Sequence, residues 1–259
     1  HLSTRRQRQM CIRDSSCTPQ RLKRYNLENK FKHLQRLAIT AAKEAIMETG
    51  QNDNVKIAGC FSPLPGSYFK DKSISKQEMI ETYSSIADLQ KDDVDFFIIE
   101  TMSSIDEAVN AVEALSNFNK KILICFCLSE GDGTKLFSGE DLSKACDLIQ
   151  IDKISGLCLN CSQFEDISIG LDILKKYGLP FGALPNNFQS VKPLKLGMSV
   201  DNIKKRNDIL IEDFVNYSNI WLKKGCTILG GCCDITPDYI NGLNQFLMKN
   251  KYNKVNFFN

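Results

Sequence analysis

The chain has 259 residues, of which 42% are hydrophobic and 25% are charged, a composition typical of a soluble globular protein with one sizeable core. No apolar run reaches the ~18–20 residues needed to span a bilayer, and no secretory leader opens the chain, so we expect a cytoplasmic protein without a membrane partner. Eleven cysteines and only two histidines exclude neither metal nor thiol chemistry, but they argue against histidine-based triads. Reduced thiols, some bound to metal, fit a long chain better than a disulfide framework.

The first residues differ in character from the rest. Met10–Ser15 resembles the translation of a transposon adapter used in sequencing libraries, so residues 1–15 are expected to be an artefact. Without them the counts of basic and acidic residues change from 33 and 31 to 29 and 30. The slight basic excess disappears, and the composition then predicts no nucleic-acid partner.

A helical segment is predicted first, within residues 16–54. Apolar residues recur at helical spacing from Phe31 to Met47, and Gly50 supplies a left-handed stop. From residue 55 to residue 249, short apolar runs alternate with helical patterns, which is typical of a parallel sheet covered by helices. The predicted strands are Val55–Cys60, Val94–Glu100, Lys121–Leu128, Gly156–Asn160, Pro180–Leu184 and Thr227–Gly230. The predicted helices are Lys76–Lys91, Ser104–Phe118, Gly139–Gln150, Ile167–Tyr177 and Ile209–Lys224. Residues 250–259 form a tail.

Polar side chains follow several of these strands. Ser62, Glu100, Cys161, Asn186 and Cys232 each lie at the C-terminal end of a different strand. A site assembled from many strand ends is typical of the (β/α)8 TIM barrel, which we favour over a doubly wound sheet. Only about six strands can be counted, so either the sheet is open or a barrel lacks two strands at its front.

Two cysteine segments carry the strongest chemical signal: Gly230-Gly231-Cys232-Cys233 and Asn160-Cys161. Consecutive strand residues point to opposite faces, so two adjacent cysteines can reach one ion only where the strand ends and the backbone turns. The glycines permit such a turn, and Thr236-Pro237 is a good start for the next helix. Three thiolates suit a zinc ion with one open position, as in catalytic sites.

Other readings of the cysteines remain open. Two buried cysteines beside a glycine turn could simply pack in the core. Cys158 and Cys161 form a Cys-x-x-Cys pair, and Cys158 as a fourth ligand would make a closed, non-catalytic zinc-stabilised module. The remaining cysteines of the strands and helices are predicted to be packing residues: Cys60, Cys125, Cys127, Cys146 and Cys226.

Over roughly residues 30–247 the chain resembles the homocysteine S-methyltransferase family. The resemblance is carried by Asn160-Cys161 and by the run from Gly230 to Pro237. Supporting segments are Ala58–Pro63, Val94–Thr101 with Glu107-Ala108, Pro185-Asn186, and Phe214, Trp221 and Gly225 ahead of the cysteine pair. The Asp-Gly-Gly segment of the family's first strand and the Glu-Thr-Asn-like segment of its second are not found here, so the resemblance implies a barrel without its first two strands.

The resemblance also implies a function. Zinc would be held by Cys161, Cys232 and Cys233, with the homocysteine sulfur as fourth ligand, and a methyl group from an onium donor would give methionine. S-methylmethionine or S-adenosylmethionine is favoured as donor, because Thr101 stands where the betaine-using branch tends to have an aromatic residue. Glu100 would hold the substrate amino group, with Ser62 and Asn186 as further substrate contacts. The oligomeric state is not predicted.

Overall fold

The computed structural model describes residues 17–50, 55–69, 73–194, 196, 198 and 203–252. The predicted artefact at residues 1–15 and residues 253–259 of the predicted tail lie outside the described residues. The strands are β1 (Ala58–Phe61), β2 (Phe96–Met102), β3 (Ile122–Phe126), β4 (Leu128–Ser129), β5 (Asp132–Leu136), β6 (Gly156–Asn160), β7 (Phe181–Leu184) and β8 (Ile228–Leu229).

Eight α-helices lie in the part of the chain that the structure describes. They are α1 (Pro19–Lys23), α2 (Phe31–Thr49), α3 (Lys76–Gln90), α4 (Ile105–Leu115), α5 (Leu142–Leu148), α6 (Phe164–Leu174), α7 (Ile211–Lys224) and α8 (Pro237–Lys249). Gly50 ends α2 with a φ of 65°, as predicted. None of the described helices is long and apolar enough to cross a membrane.

Six strands form one parallel sheet in the order β1, β2, β3, β6, β7, β8. Each strand pairs with the next parallel strand along the chain, so the polypeptide winds in a single direction, as it does in a (β/α)8 barrel. Among the described residues, β1 and β8 each pair on one side only. The predicted α/β class with about six parallel strands is confirmed.

Several predicted boundaries are wrong by a few residues. The predicted strand Lys121–Leu128 divides at Cys127, and its end begins the antiparallel β4–β5 hairpin, which the sequence did not signal. The hairpin packs on α6, which begins at Phe164 rather than at Ile167. The predicted helix Gly139–Gln150 is shorter at both ends, because its first residues belong to the turn after β5.

Two clusters of the hydrophobic core lie on opposite faces of the sheet. The larger cluster lies between the sheet and the helices and contains most of the buried hydrophobic residues. Large, fully buried side chains such as Phe61, Phe97 and Trp221 belong to it. The opposite, inner face is a smaller cluster of Leu123, Cys125 and Cys158, packed against half-buried Phe96, Ile98, Leu184 and Ile228. Cys125 fills the inner face as predicted, and Cys146 and Cys226 lie in the outer core.

Candidate metal centre

Three cysteines meet where β6 and β8 end. The Sγ atoms of Cys161 and Cys232 are 2.8 Å apart, those of Cys161 and Cys233 3.5 Å, and those of Cys232 and Cys233 4.0 Å. Cys161 is 3% exposed, whereas Cys232 and Cys233 are half-buried. The cluster is therefore closed on the side of β6 and accessible on the side of β8.

Backbone turns at both strand ends bring the thiols together. Cys161 has a φ of 51°, a left-handed conformation that bends the chain out of β6. The end of β7 lies between the segments that carry Cys161 and Cys232 and holds both of them. The Leu184 carbonyl accepts from the Cys161 amide, and the Pro185 carbonyl accepts from the Cys232 amide. A Cβ on Gly231 would lie 2.3 Å from the Ile235 side chain, which explains why this turn needs a glycine.

The start of α8 is predicted correctly in position but not in detail. Thr236 is the N-cap, and Pro237 occupies the first helical turn. The Thr236 side chain makes no capping hydrogen bond, so the fixed φ of proline and the backbone conformation at Thr236 define the start instead.

The cluster has the geometry of a soft-metal site. A tetrahedral zinc with Zn–S bonds of about 2.3 Å places its sulfurs roughly 3.8 Å apart. The three observed separations bracket that spacing, and all three ligand atoms lie within 4.8 Å of one another. The residues present therefore fit a zinc ion with three sulfur ligands. The Cys158 side chain is not part of this group, since it packs with Leu123 and Cys125 on the inner face.

The three thiols differ in acidity. Hydrogen bonds with Cys232, Cys233 and Tyr68 hold the pKa of Cys161 well below its usual range, against the opposing effect of burial. The pKa of Cys232 is raised well above its usual range, chiefly because its proton is donated to Cys161, and the charge of Glu100 raises it further. The lowered pKa of Cys161 favours its thiolate, which is the form of cysteine that binds a metal ion.

Tyr68 is a contact of the cluster that the sequence did not reveal. Its hydroxyl donates to the Sγ of Cys161 at 3.0 Å, and its ring packs against Phe137 with the ring centroids 5.3 Å apart. Tyr68 has a φ of 67°, so the loop after β1 bends back over the cluster at this residue. No motif marks it, because the contact depends on a loop conformation rather than on residue spacing.

Glu100 lies on the same side of the sheet as the cluster. It is half-buried near the end of β2, and its charge acts on Cys232 at the end of β8. Ser62, 1% exposed, follows β1, and its Oγ has no hydrogen-bond partner among the described residues. The loop that begins with Ser62 is held by Arg21, whose Nη2 donates to the Pro63 carbonyl at 2.6 Å. Burial lowers the pKa of Arg21 to about 10.

Asn186 occupies a supporting position beside Cys161. Its Nδ2 donates to the Cys161 carbonyl at 2.7 Å, and its Oδ1 accepts from the Phe188 amide at 3.1 Å. The second bond is the two-residue turn typical of asparagine. Asn186 therefore stabilises the backbone of a candidate ligand, and the structure brings it to the centre through that contact.

The family profile described as homocysteine S-methyltransferase matches residues 16–247. The chain belongs to this family. The homocysteine S-methyltransferase fold is also evident in the metallated form of MmuM, the homocysteine methyltransferase of Escherichia coli, with a TM-score of 0.68 at 22% identity. That match covers 89% of this chain and 76% of MmuM, and it shows a shared fold.

Relatives within the homocysteine S-methyltransferase family are distant in sequence. A selenocysteine methyltransferase of Astragalus bisulcatus is 28% identical over 160 residues, which is 60% of this chain and 45% of that protein. The S-methylmethionine–homocysteine S-methyltransferase BHMT2 of Pongo abelii is 25% identical over 240 residues, which is 86% of this chain and 62% of that protein. The chain thus spans about half the length of the first of these relatives.

Proposed function

We propose that the chain transfers a methyl group from an onium donor to the sulfur of homocysteine, giving methionine, with zinc at the three-cysteine centre. The observation that carries this proposal is the cluster of Cys161, Cys232 and Cys233 with its accessible side. Family membership and the names of the relatives support homocysteine as the acceptor.

Zinc, when bound, would lower the pKa of a coordinating thiol and so supply a thiolate near neutral pH. The three cysteines would hold the ion, and Tyr68 would donate to one of them. In the transfer, an S–C bond forms to the homocysteine sulfur as the bond from the methyl carbon to the donor sulfonium breaks. The electron pair of the broken bond stays on the donor, and the thiol proton passes to solvent.

Glu100 is proposed to bind the ammonium group of homocysteine. The charge of its carboxylate acts on half-buried Cys232, which supports a role at the same site. Ser62 offers a buried hydroxyl without a protein partner, which suits a hydrogen bond to the same substrate. Asn186 is proposed as a further substrate contact, and it lies beside Cys161, whose backbone carbonyl accepts its hydrogen bond.

S-methylmethionine or S-adenosylmethionine is the favoured donor. Thr101 rather than an aromatic residue follows Glu100, and an aromatic face is what a quaternary ammonium donor such as betaine prefers. The named activity of one relative on S-methylmethionine agrees with this choice.

We also propose that the six strands are part of a (β/α)8 barrel to which two strands before β1 would contribute. The single winding direction of the sheet and the half-buried inner face support this proposal. Residues 55–249 would be the homocysteine-binding unit, and residues 16–54 the helical remainder ahead of it.

Zinc content after substitution of single cysteines tests the centre. Cys161→Ala, Cys232→Ala and Cys233→Ala are each expected to lower bound zinc to a small fraction of the unsubstituted level, measured by metal analysis after dialysis against a weak chelator. Cys158→Ala is the matched control and should keep its zinc, because its thiol faces Cys125. Loss of zinc in Cys158→Ala, as in the other three variants, would instead support the closed four-cysteine module.

Glu100→Gln tests the substrate assignment. The substitution removes the charge that pairs with the ammonium group, so KM for homocysteine should rise roughly 10- to 100-fold with little change in KM for the methyl donor. Methionine formation is measured with each donor in turn. An unchanged KM for homocysteine would contradict the role of Glu100.

A further inference from the structure

The end of β2 has an unusual backbone. Thr101 has a φ of 58°, in the left-handed region that β-branched residues rarely adopt. The pairing with β3 shifts at the same place, because Ile99 pairs with Ile124 whereas Met102 pairs with Phe126. Three steps along β2 therefore match two along β3, which is a β-bulge. Strained backbone of this kind persists only where surrounding contacts hold it.

The contact that holds the bulge comes from two strands away. Asn160, the last residue of β6, is 2% exposed and reaches across β3 to Thr101. Its Oδ1 accepts from the Thr101 amide at 2.9 Å, and its Nδ2 donates to the Thr101 Oγ1 at 3.0 Å. A bulge leaves its extra amide without a strand partner, and a buried amide without a partner is costly. The Asn160 side chain satisfies that amide.

Asn160 is also placed between the two halves of the candidate site. Its own neighbour along the chain is Cys161, and the neighbour of the residue it clamps is Glu100. One buried side chain thus connects the carboxylate at the end of β2 with the thiol at the end of β6. The spacing between these groups depends on the bulge, because the conformation of Thr101 determines how the chain leaves Glu100.

We propose that Asn160 is a positioning residue that, through Thr101, holds the Glu100 carboxylate at the distance from the cysteine cluster that an amino acid with a thiol side chain requires. This inference rests on the proposed function. It assigns to Asn160 no contact with substrate or metal; its effect is on the ammonium end of the substrate and not on the sulfur end.

Two thiols distinguish these ends. Homocysteine carries both a thiol and an amino group, whereas 4-mercaptobutanoate has the same carbon chain without the amino group. With the full chain loaded with Co²⁺, binding of either thiol is followed by sulfur-to-cobalt charge-transfer absorption. Asn160→Ala should weaken homocysteine binding about tenfold, the effect of misplacing one charged hydrogen bond, and change 4-mercaptobutanoate binding by less than about twofold.

A second substitution tests the route through Thr101. Glycine adopts a positive φ at no steric cost, so Thr101→Gly removes the dihedral strain of the bulge, which is the part of its cost that depends on the side chain at this position. The double variant Asn160→Ala/Thr101→Gly should regain about threefold or more of the homocysteine affinity lost in Asn160→Ala. Asn110→Ala is the matched control, a buried asparagine on α4 outside the site, and should leave both affinities unchanged.

The results that would overturn the inference are distinct. If Asn160→Ala weakened the binding of both thiols equally, its effect would lie at the sulfur end of the substrate and not at the ammonium end. Unchanged binding of both thiols would remove any positioning role. A double variant no better than Asn160→Ala would show that the conformation of Thr101 is not the route. If the unsubstituted cobalt protein binds neither thiol, the proposed function fails, and this inference fails with it.

Discussion

A thiolate that accepts a hydrogen bond is a weaker base than one that does not. The Sγ of Cys161 accepts from Cys232 and from Tyr68, and Tyr68 is the donor that lies outside both cysteine segments. The tyrosine hydroxyl therefore adjusts the electron density of a candidate ligand without occupying a ligand position. The pair of cysteine motifs was readable from the sequence because strand ends and glycines dictate where thiols can meet. Tyr68 was not, because a residue in a left-handed loop carries no periodic signal.

Tyr68→Phe is expected to raise the pKa of Cys161, because the thiolate loses a hydrogen-bond donor that stabilises it. The thiolate is the reactive form, so the pH midpoint for alkylation of Cys161 in the metal-free protein should move upward. Iodoacetamide labelling followed by peptide mass spectrometry measures this midpoint. Tyr177→Phe, which removes a hydroxyl bound to Asp147 far from the cluster, is the control. A midpoint equal in both variants would contradict the contact.

At the level of strands and helices, the sequence predicted best the strands that are buried on both faces. The run Gly156–Asn160 is buried throughout and its bounds were predicted correctly, since a fully buried strand has no competing pattern. The β4–β5 hairpin was missed because residues such as Asp132 and Lys135 follow no alternation that separates them from a loop. The bulge at Thr101 was missed for a related reason: it is stabilised by Asn160, 59 residues away along the chain.

Close approach of β7 and β8 positions the cysteine pair. A Cβ on Gly182 would lie 2.3 Å from the Ile228 carbonyl oxygen and 3.0 Å from the Cys158 Sγ. Gly182→Ala should therefore displace β8 and lower the free energy of unfolding by ~1–3 kcal/mol, with weaker zinc binding as a second effect. Chemical denaturation and metal analysis measure the two. An unfolding free energy equal to that of the unsubstituted chain would contradict this tight packing.

In the described part of the chain the sheet has two edges and an inner face of intermediate exposure. Edge strands present unpaired amides, and half-buried Phe96, Ile98, Leu184 and Ile228 line the inner face between them. The sequence predicted six strands and their direction, since alternation of apolar runs and helices requires parallel pairing. Whether a sheet closes into a barrel depends on the segments that pair with its two edge strands. The pattern within the six strands does not identify those segments.

Hydrogen exchange is expected to follow this arrangement. Amides of β1 and β8 should exchange faster than those of β2, β3 and β6, because each edge strand is supported from one side only among the described residues. Exchange resolved by mass spectrometry or NMR measures the order. Equal protection of β1 and β3 would indicate that a further segment pairs with β1.

The cysteine cluster joins two chain positions 71 residues apart, Cys161 and Cys232, with all of α6, β7, α7 and β8 between them. A bound ion there is a reversible cross-link, and it removes loop entropy from the unfolded chain as a disulfide of similar span would. The supply of metal would then affect the stability of the folded chain as well as its chemistry. The ion-free chain would be more open to proteolysis across its last third.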